Sequence, residues 1–411
     1  MTTIADFDIA TDIKVEFFLP NISEGIFIVG ISLLGSNDVL STGGQFIIGE
    51  SLLGGVDKLG ATAFSWQDLA CSTALAQIEV GGSIQDQLYF QPSPAAASLT
   101  LQTYQFDPST NTAFRPGVPV RVRIEKGAVD QIIWTGIVES IGGSYTIDGN
   151  NLLQIKAFDS MNRLMNTRIP EFDSDNVDGF VSPYEQLELV AEQFGTSMHS
   201  TSVDNGGEIP SQLLVDVIPN ALIYDAIQVG LGLFWLDPVT SEFVFVPRPT
   251  GLGAIPEGTF IIGNDHTADN HLCMTDIRTL SDGDVVFNSL RVELASDNAT
   301  YVLIENPDSI QLYGKYAKDV TLNTTDQAEL TRWANSVFNQ SPTNLVESVE
   351  TLTLDRQGTV TGAAFLLPGE LIGVDFSQNT LEINDYYTIT KVSHYIDPNN
   401  WLTTLDLWKE A

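Results

Sequence analysis

Cysteine is nearly absent from this sequence. Cys71 and Cys273 are the only two in 411 residues. That count excludes a disulfide framework and suits thiols in a protein assembled in a reducing cytosol. No apolar run approaches the roughly 20 residues that a transmembrane helix needs, so stable membrane insertion is not expected. The first residues, Met1 to Phe18, carry acids where a secretory signal would be basic, and no signal peptide is expected. Basic residues are scarce: 18 Lys+Arg stand against 53 Asp+Glu, a net charge of −35. Such a field repels phosphate backbones and anionic membrane surfaces, so tight nucleic-acid binding is not expected. No Gly-x-Ser-x-Gly, His-Glu-x-x-His or phosphate-binding loop occurs, which removes the common hydrolase and nucleotidase signatures.

What the chain has is strand pattern. Hydrophobic residues make up 43% and charged residues 17%, a globular balance, and the length allows two to four domains. The clearest stretch runs from Phe114 to Asn166. Arg115-Pro116-Gly117 is a turn signal, because proline fixes φ and glycine accepts a positive one. Val118, Val120 and Val122 then alternate with Pro119, Arg121 and Arg123 at the period of two of a half-buried strand. Gln131–Ile141, Tyr145–Ile147 and Leu152–Phe158 read as further strands, with Gly142-Gly143 and Asp148-Gly149 at the reversals. Upstream, Ala74–Val80 reads as a strand ended by Gly81-Gly82, and Ala97–Phe106 as another. Together these predict a small antiparallel barrel over 63–168. Residues 1–62 are Gly-rich, repeat Ser-Leu-Leu-Gly with Asp-x-Leu twice, and read as a docking region.

Beyond residue 168 the period changes. Ser182-Pro183 starts a helix with Leu187, Val190, Ala191 and Phe194 at helical spacing, and a second helix follows Pro219. Leu233–Leu236 and Glu242–Val246 form strands around Asp237-Pro238, so 169–287 reads as an α+β insertion. Residues 288–411 return to strands, with Leu367-Pro368-Gly369 repeating the earlier Pro-Gly signal and a helix inserted at 325–340, capped by Thr324 or Thr325. The expected fold is mainly β with an α+β insertion: two small antiparallel β-barrels related by pseudo-symmetry, plus a helix-containing inserted domain.

Candidate chemistry is thin. Asp265-His266, Asp269, His271 and Cys273 could approach a zinc ion, but their spacing matches no standard site. Asp173 to Gly179 resembles a calcium loop without its bidentate glutamate. Trp134, Trp401 and Trp408 sit in strand patterns, where core packing is the default and sugar stacking the alternative. His394, in a strand, reads as structural or interfacial rather than as a base. No catalytic, cofactor-binding or metal-binding residues are assigned and no enzyme activity is expected.

Several landmarks occur in one order: Arg115-Pro116-Gly117, Arg121-Val122-Arg123, Trp134-Thr135-Gly136, Ala157-Phe158-Asp159 with Leu164, Gly232-Leu233-Phe234-Trp235, Tyr313-Gly314-Lys315, Leu367-Pro368-Gly369, Val392-Ser393-His394 and Trp401-Leu402-Thr403. Over residues 63–410 this ordered set resembles the tail-hub (baseplate hub or minor tail) proteins of long-tailed bacteriophages. The resemblance implies a structural virion protein at the tail tip, assembled in the host cytoplasm. It implies a homotrimer whose two barrels per subunit make a pseudo-sixfold ring between the tail tube and the tip, through which DNA passes during host entry. Implied partners are a hexameric distal tail or tail tube protein, a tape measure protein, and a tail fibre or receptor-binding protein. Arg121, Arg123, Trp134, Arg163, His394 and Trp401 are the candidate interface residues. The acidic charge has two readings: a solvated surface, or a bore that does not hold exiting DNA. The chain stops just past Trp408, as a hub core without a fibre or hydrolase extension would. The alternatives are a carbohydrate-binding tail-tip adhesin and, behind it, a cell-wall hydrolase.

Overall fold

The computed structural model of the chain describes residues 4–20, 64–68, 72–85, 88–103, 114–127, 129–145, 151–174, 179–204, 206–247, 258–264, 270–280, 287–338, 345–355, 358–378 and 381–408. The first part holds α1 (Ile9–Asp12), β1 (Ile13–Pro20), β2 (Phe64–Asp68), β3 (Ser72–Gln85), β4 (Tyr89–Pro92), β5 (Ala96–Thr103), β6 (Pro119–Lys126), β7 (Val129–Ser144) and β8 (Asn151–Phe158). A helical and β layer follows: α2 (Ser160–Asn166), β9 (Ile169–Asp173), β10 (Phe180–Val181), α3 (Pro183–Gln193), β11 (Ile209–Pro210), β12 (Leu213–Val217), α4 (Pro219–Gly230), β13 (Gly232–Leu236) and β14 (Phe243–Pro247). Next come β15 (Ile261–Gly263) and β16 (His271–Leu280), then β17 (Ser289–Leu294), β18 (Asp297–Glu305), α5 (Pro307–Tyr313), β19 (Ala317–Leu322) and α6 (Gln327–Phe338). The chain finishes with β20 (Leu345–Leu352), β21 (Leu371–Gln378), β22 (Leu381–Asp397) and β23 (Asn400–Trp408).

Two six-stranded modules share one wiring. The second is a closed barrel in the order β15-β21-β22-β23-β20-β16, sealed by parallel pairing of β15 with β16. The first runs β1-β6-β7-β8-β5-β3 and has no pairing between β1 and β3 among the described residues. There α1 packs against β1, β3 and β6 instead, and β2 extends the sheet from β1. In both modules the first strand in sequence pairs the fourth, which pairs the fifth, then the sixth, the third and the second; only the direction of the first strand differs, antiparallel to the fourth in the first module and parallel to it in the second. The details repeat as well. Lys126 pairs Val129 and Gln378 pairs Leu381, so both central hairpins turn in two residues. The next ladders carry a bulge at matching places, between Val138 and Ser140 and between Ile389 and Lys391.

Alternating inward residues explain each wall. In β6, Val120, Val122 and Ile124 are fully buried, while Arg121 and Arg123 point outward. Gly136 follows Trp134 because a Cβ there would lie 2.3 Å from the indole, so the Trp-Thr-Gly run is a packing unit. The second barrel fills with Ile262, Ile372, Val374, Ile389, Val392 and Leu405. At the end of β8 the Asp159 side chain accepts from Met161 N–H at 3.1 Å and caps α2, which buries Met161 and Leu164.

The layers beyond the barrels follow similar local rules. Ser182 and Glu185 form a capping box on α3, with Pro183 in the first turn. α3 and α4 pack together, and Leu187, Val190, Ile223 and Ile227 continue the first module's core. The three-stranded sheet β18-β17-β19 packs on Leu330, Trp333, Ala334 and Val337 of α6.

Several expectations differ in detail. Gly81-Gly82 does not end a strand: β3 runs on to Gln85. Cβ atoms at these positions would lie 2.3 Å from Thr390 O and 2.1 Å from Gln91 O, so the glycines permit close backbone approach. Gly142-Gly143 likewise lies within β7, paired with Gln154 and Leu153. β1, inside the stretch read as a docking region, is a wall strand of the first module, and the Ser-Leu-Leu-Gly repeat lies outside the described residues. The second barrel takes β15 and β16 from upstream of residue 288, and 289–338 forms the separate three-stranded sheet with α5 and α6. Asp326, not a threonine, caps α6 by accepting from Ala328 and Glu329 N–H, while Thr324 and Thr325 bond Glu208.

Candidate assembly surface

The first module and the closed barrel are fused by strand pairing. β3 of the first pairs antiparallel with β22 of the second, from Ala76↔Ile396 to Gly81↔Lys391. Across this seam Lys391 Nζ meets Glu79 Oε2 at 2.6 Å. Pro368 closes over Gly81, whose Cβ would lie 3.0 Å from the proline ring. The Pro-Gly turn of the second barrel therefore sits at the joint. Asp406 lies on the same face as this ion pair, and burial raises its carboxyl against the lowering effect of Lys391.

His394 and Trp401 lie beneath the seam. His394 Nδ1 is 2.8 Å from Thr403 Oγ1, Trp401 Nε1 donates to His394 Nδ1 at 3.4 Å, and Thr403 in turn bonds Thr353. Burial alone pushes the imidazole down to about 4, so the ring is neutral at pH 7. This network holds a strand crossing together and is closed to an outside partner.

Arg121 and Arg123 face outward from β6 yet are engaged within the chain. Glu16, directly across on β1, takes Arg121 Nε at 2.6 Å and Arg123 at 3.3 Å, and Arg121 also stacks on Trp66 at 4.4 Å. Arg123 adds Glu125 and Asp130. Trp134 is fully buried, as are Trp401 and all but 3% of Trp408, so none offers a face for sugar stacking. Arg163 is the exposed member of the set. It lines a shallow groove with Phe194, Thr196, Ser241 and Phe243. The six candidates thus do not form one patch.

Of the zinc candidates, His271 and Cys273 lie on β16, while 265, 266 and 269 fall outside the described residues, as do 175–178 of the calcium-like loop. Among the described residues no group of three or more His, Cys, Asp or Glu is placed to hold a metal. No described helix is long and apolar enough to cross a membrane. Sequence reading missed the strand pairing that joins the two modules, and Gly81, at that joint, was its one local signal.

No protein-family model matches the sequence, and no curated protein sequence matches it. The fold is similar to that of a tail protein from Neisseria meningitidis MC58, with TM-score 0.59, 12% identity, and 85% of this chain and 94% of that one covered. It is also similar to the 43 kDa tail protein of prophage MuSo2 from Shewanella oneidensis, with TM-score 0.50, 14% identity, and 84% and 95% covered.

Proposed function

We propose that this protein is the tail-tip hub of a long-tailed bacteriophage: a structural, non-enzymatic virion component with no cofactor. Three copies, each supplying two barrels, form a pseudo-sixfold ring that joins the tail tube to the tip and lets DNA pass during host entry. The observation that carries this reading is the repeated module. Two barrels of one wiring, joined side by side through β3 and β22, are the unit from which three chains can imitate six subunits. The tail-protein folds it resembles support the same role. A sixfold face suits a hexameric distal tail or tube protein on one side. Threefold symmetry suits a tape measure protein and a fibre or receptor-binding protein around the axis. The net charge of −35 suits a conduit that leaves DNA unbound.

The test is the mass of the purified full chain by light scattering, with images of the same sample. A mass of three chains and a six-lobed ring are expected. A chain that stays monomeric at every accessible concentration, or that closes with another number of lobes, overturns the reading.

A further inference from the structure

The repeated wiring matches five strands of one module to five of the other; the first strands differ in direction, β1 antiparallel to β6 and β15 parallel to β21. Val138 matches Ile389, so Ile141 matches Val392; these pair Ile155 and Leu405. Ile155 and Leu405 in turn pair Leu99 and Val349, which pair Ala76 and Ile277. The registers agree from Ile277 to Arg278, and β16 then carries a bulge between Arg278 and Thr279 that β3 lacks, so β7 is the counterpart of β22 and β16 the counterpart of β3 with one residue skipped at that bulge. Inside the chain, β3 and β22 pair. Their counterparts carry the same edges without that use. Past Val138, β7 is paired only with β8 among the described residues, and past Cys273 β16 is paired only with β20. Ser140, Gly142, Gly143 and Ser144 are exposed on one edge, Arg278 and Thr279 on the other.

We infer that β7 of one copy pairs antiparallel with β16 of the next, repeating between chains the joint that β3 and β22 make within one. The inference rests on the ring reading above and names the edges that close it. The register carries over on either side of the β16 bulge. Tyr395↔Gln77 becomes Ser144↔Arg278, and Ser393↔Glu79 becomes Gly142↔Thr279. Three physical points favour a second copy as the occupant. Unpaired strand edges are templates for another strand, and the partner edge here exists on the same molecule. The contact is head-to-tail, so repetition generates a ring when its rotation closes. Glycine also marks both edges: Gly81 lets the Thr390 backbone approach at the internal joint, and Gly142 and Gly143 leave the β7 edge without Cβ atoms that would crowd an approaching strand. The Pro-Gly turn agrees. Pro368 is buried over the internal joint, whereas its counterpart Pro116 is exposed, so the equivalent turn stands open.

The experiment is disulfide trapping in the full chain, with Cys71 and Cys273 replaced by serine. Ser144→Cys with Arg278→Cys should give covalent dimers and trimers on non-reducing gels. Each single variant should give no trimer. An out-of-register pair, Ser144→Cys with Thr275→Cys, should give at least about tenfold less. In the unmodified assembly, amides 142–144 and 278–280 should exchange at least about tenfold more slowly than exposed edge amides of the same chain. A trimer by light scattering that neither traps in register nor protects these amides overturns the edge pairing and leaves the ring standing. A monomer overturns both.

Discussion

Gly117 and Gly369 hold the same position in two copies of one structural unit. Gly117 N–H donates to Val138 O at 2.7 Å, and Val138 N–H donates back to Val118 O at 2.9 Å. Gly369 N–H donates to Ile389 O at 2.8 Å, and Ile389 N–H returns to Glu370 O at 2.9 Å. Even the turn bonds agree, Val118 N–H to Arg115 O and Glu370 N–H to Leu367 O, both at 3.3 Å. The φ angles are +94° and +84°, which only glycine adopts without strain.

Their surroundings differ, and that separates two substitutions. Gly117→Ala meets open space and loses only conformational ease, about 1 kcal/mol. Gly369→Ala drives a methyl to 2.7 Å from the Trp235 ring and should cost about 2–4 kcal/mol. Denaturant titration compares them. An equal or larger loss at Gly117 would mean that the first turn is not open.

Glu16 is buried between two guanidiniums. Glu16→Ala should destabilise by about 2–4 kcal/mol, because Arg121 loses its partner within a mostly covered site. Arg163→Ala, at an exposed helix position, should change stability by less than about 0.5 kcal/mol. A neutral Glu16→Ala would show that Trp66 and solvent alone satisfy the arginines.

Sequence showed those arginines but not their partner, and the reason is distance along the chain. Arg121 and Glu16 are 105 residues apart, and only strand pairing brings them together. The local signals read well: the Ser182 cap, the alternation of β6 and the Pro-Gly turns. Glycine pairs were ambiguous, because flexibility for a turn and clearance for a neighbouring backbone use the same residue. The two closing strands of the second barrel were hidden for another reason. A three-residue strand such as β15 is too short to show a period.

Two buried groups set opposing pH dependences. Burial pushes His394 down to about 4, so its contribution is complete above about pH 6.5 and lost as pH falls through 4. Burial also pushes the Asp159 carboxyl up to about 7, against the backbone N–H groups that it accepts from. Its contribution is complete below about pH 3.8 and lost as pH rises through 7. Between about pH 4 and 6.5 the slopes oppose, on the order of 3 kcal/mol for His394 and 4 kcal/mol for Asp159 across their full ranges. Asp159→Asn keeps a capping oxygen and removes one slope. The variant should therefore gain on the wild type as pH rises from 4 to 8 in thermal melts. A constant offset across that range would show that Asp159 does not titrate there.

The most direct test is a cryo-electron microscopy map of the assembled full chain at a resolution that separates strands. The account predicts six barrels about one axis, with three joints formed by β3 and β22 within chains alternating with three formed by β16 and β7 between them. Barrels that meet through other surfaces, or modules that a rotation of about sixty degrees does not superpose, would contradict it.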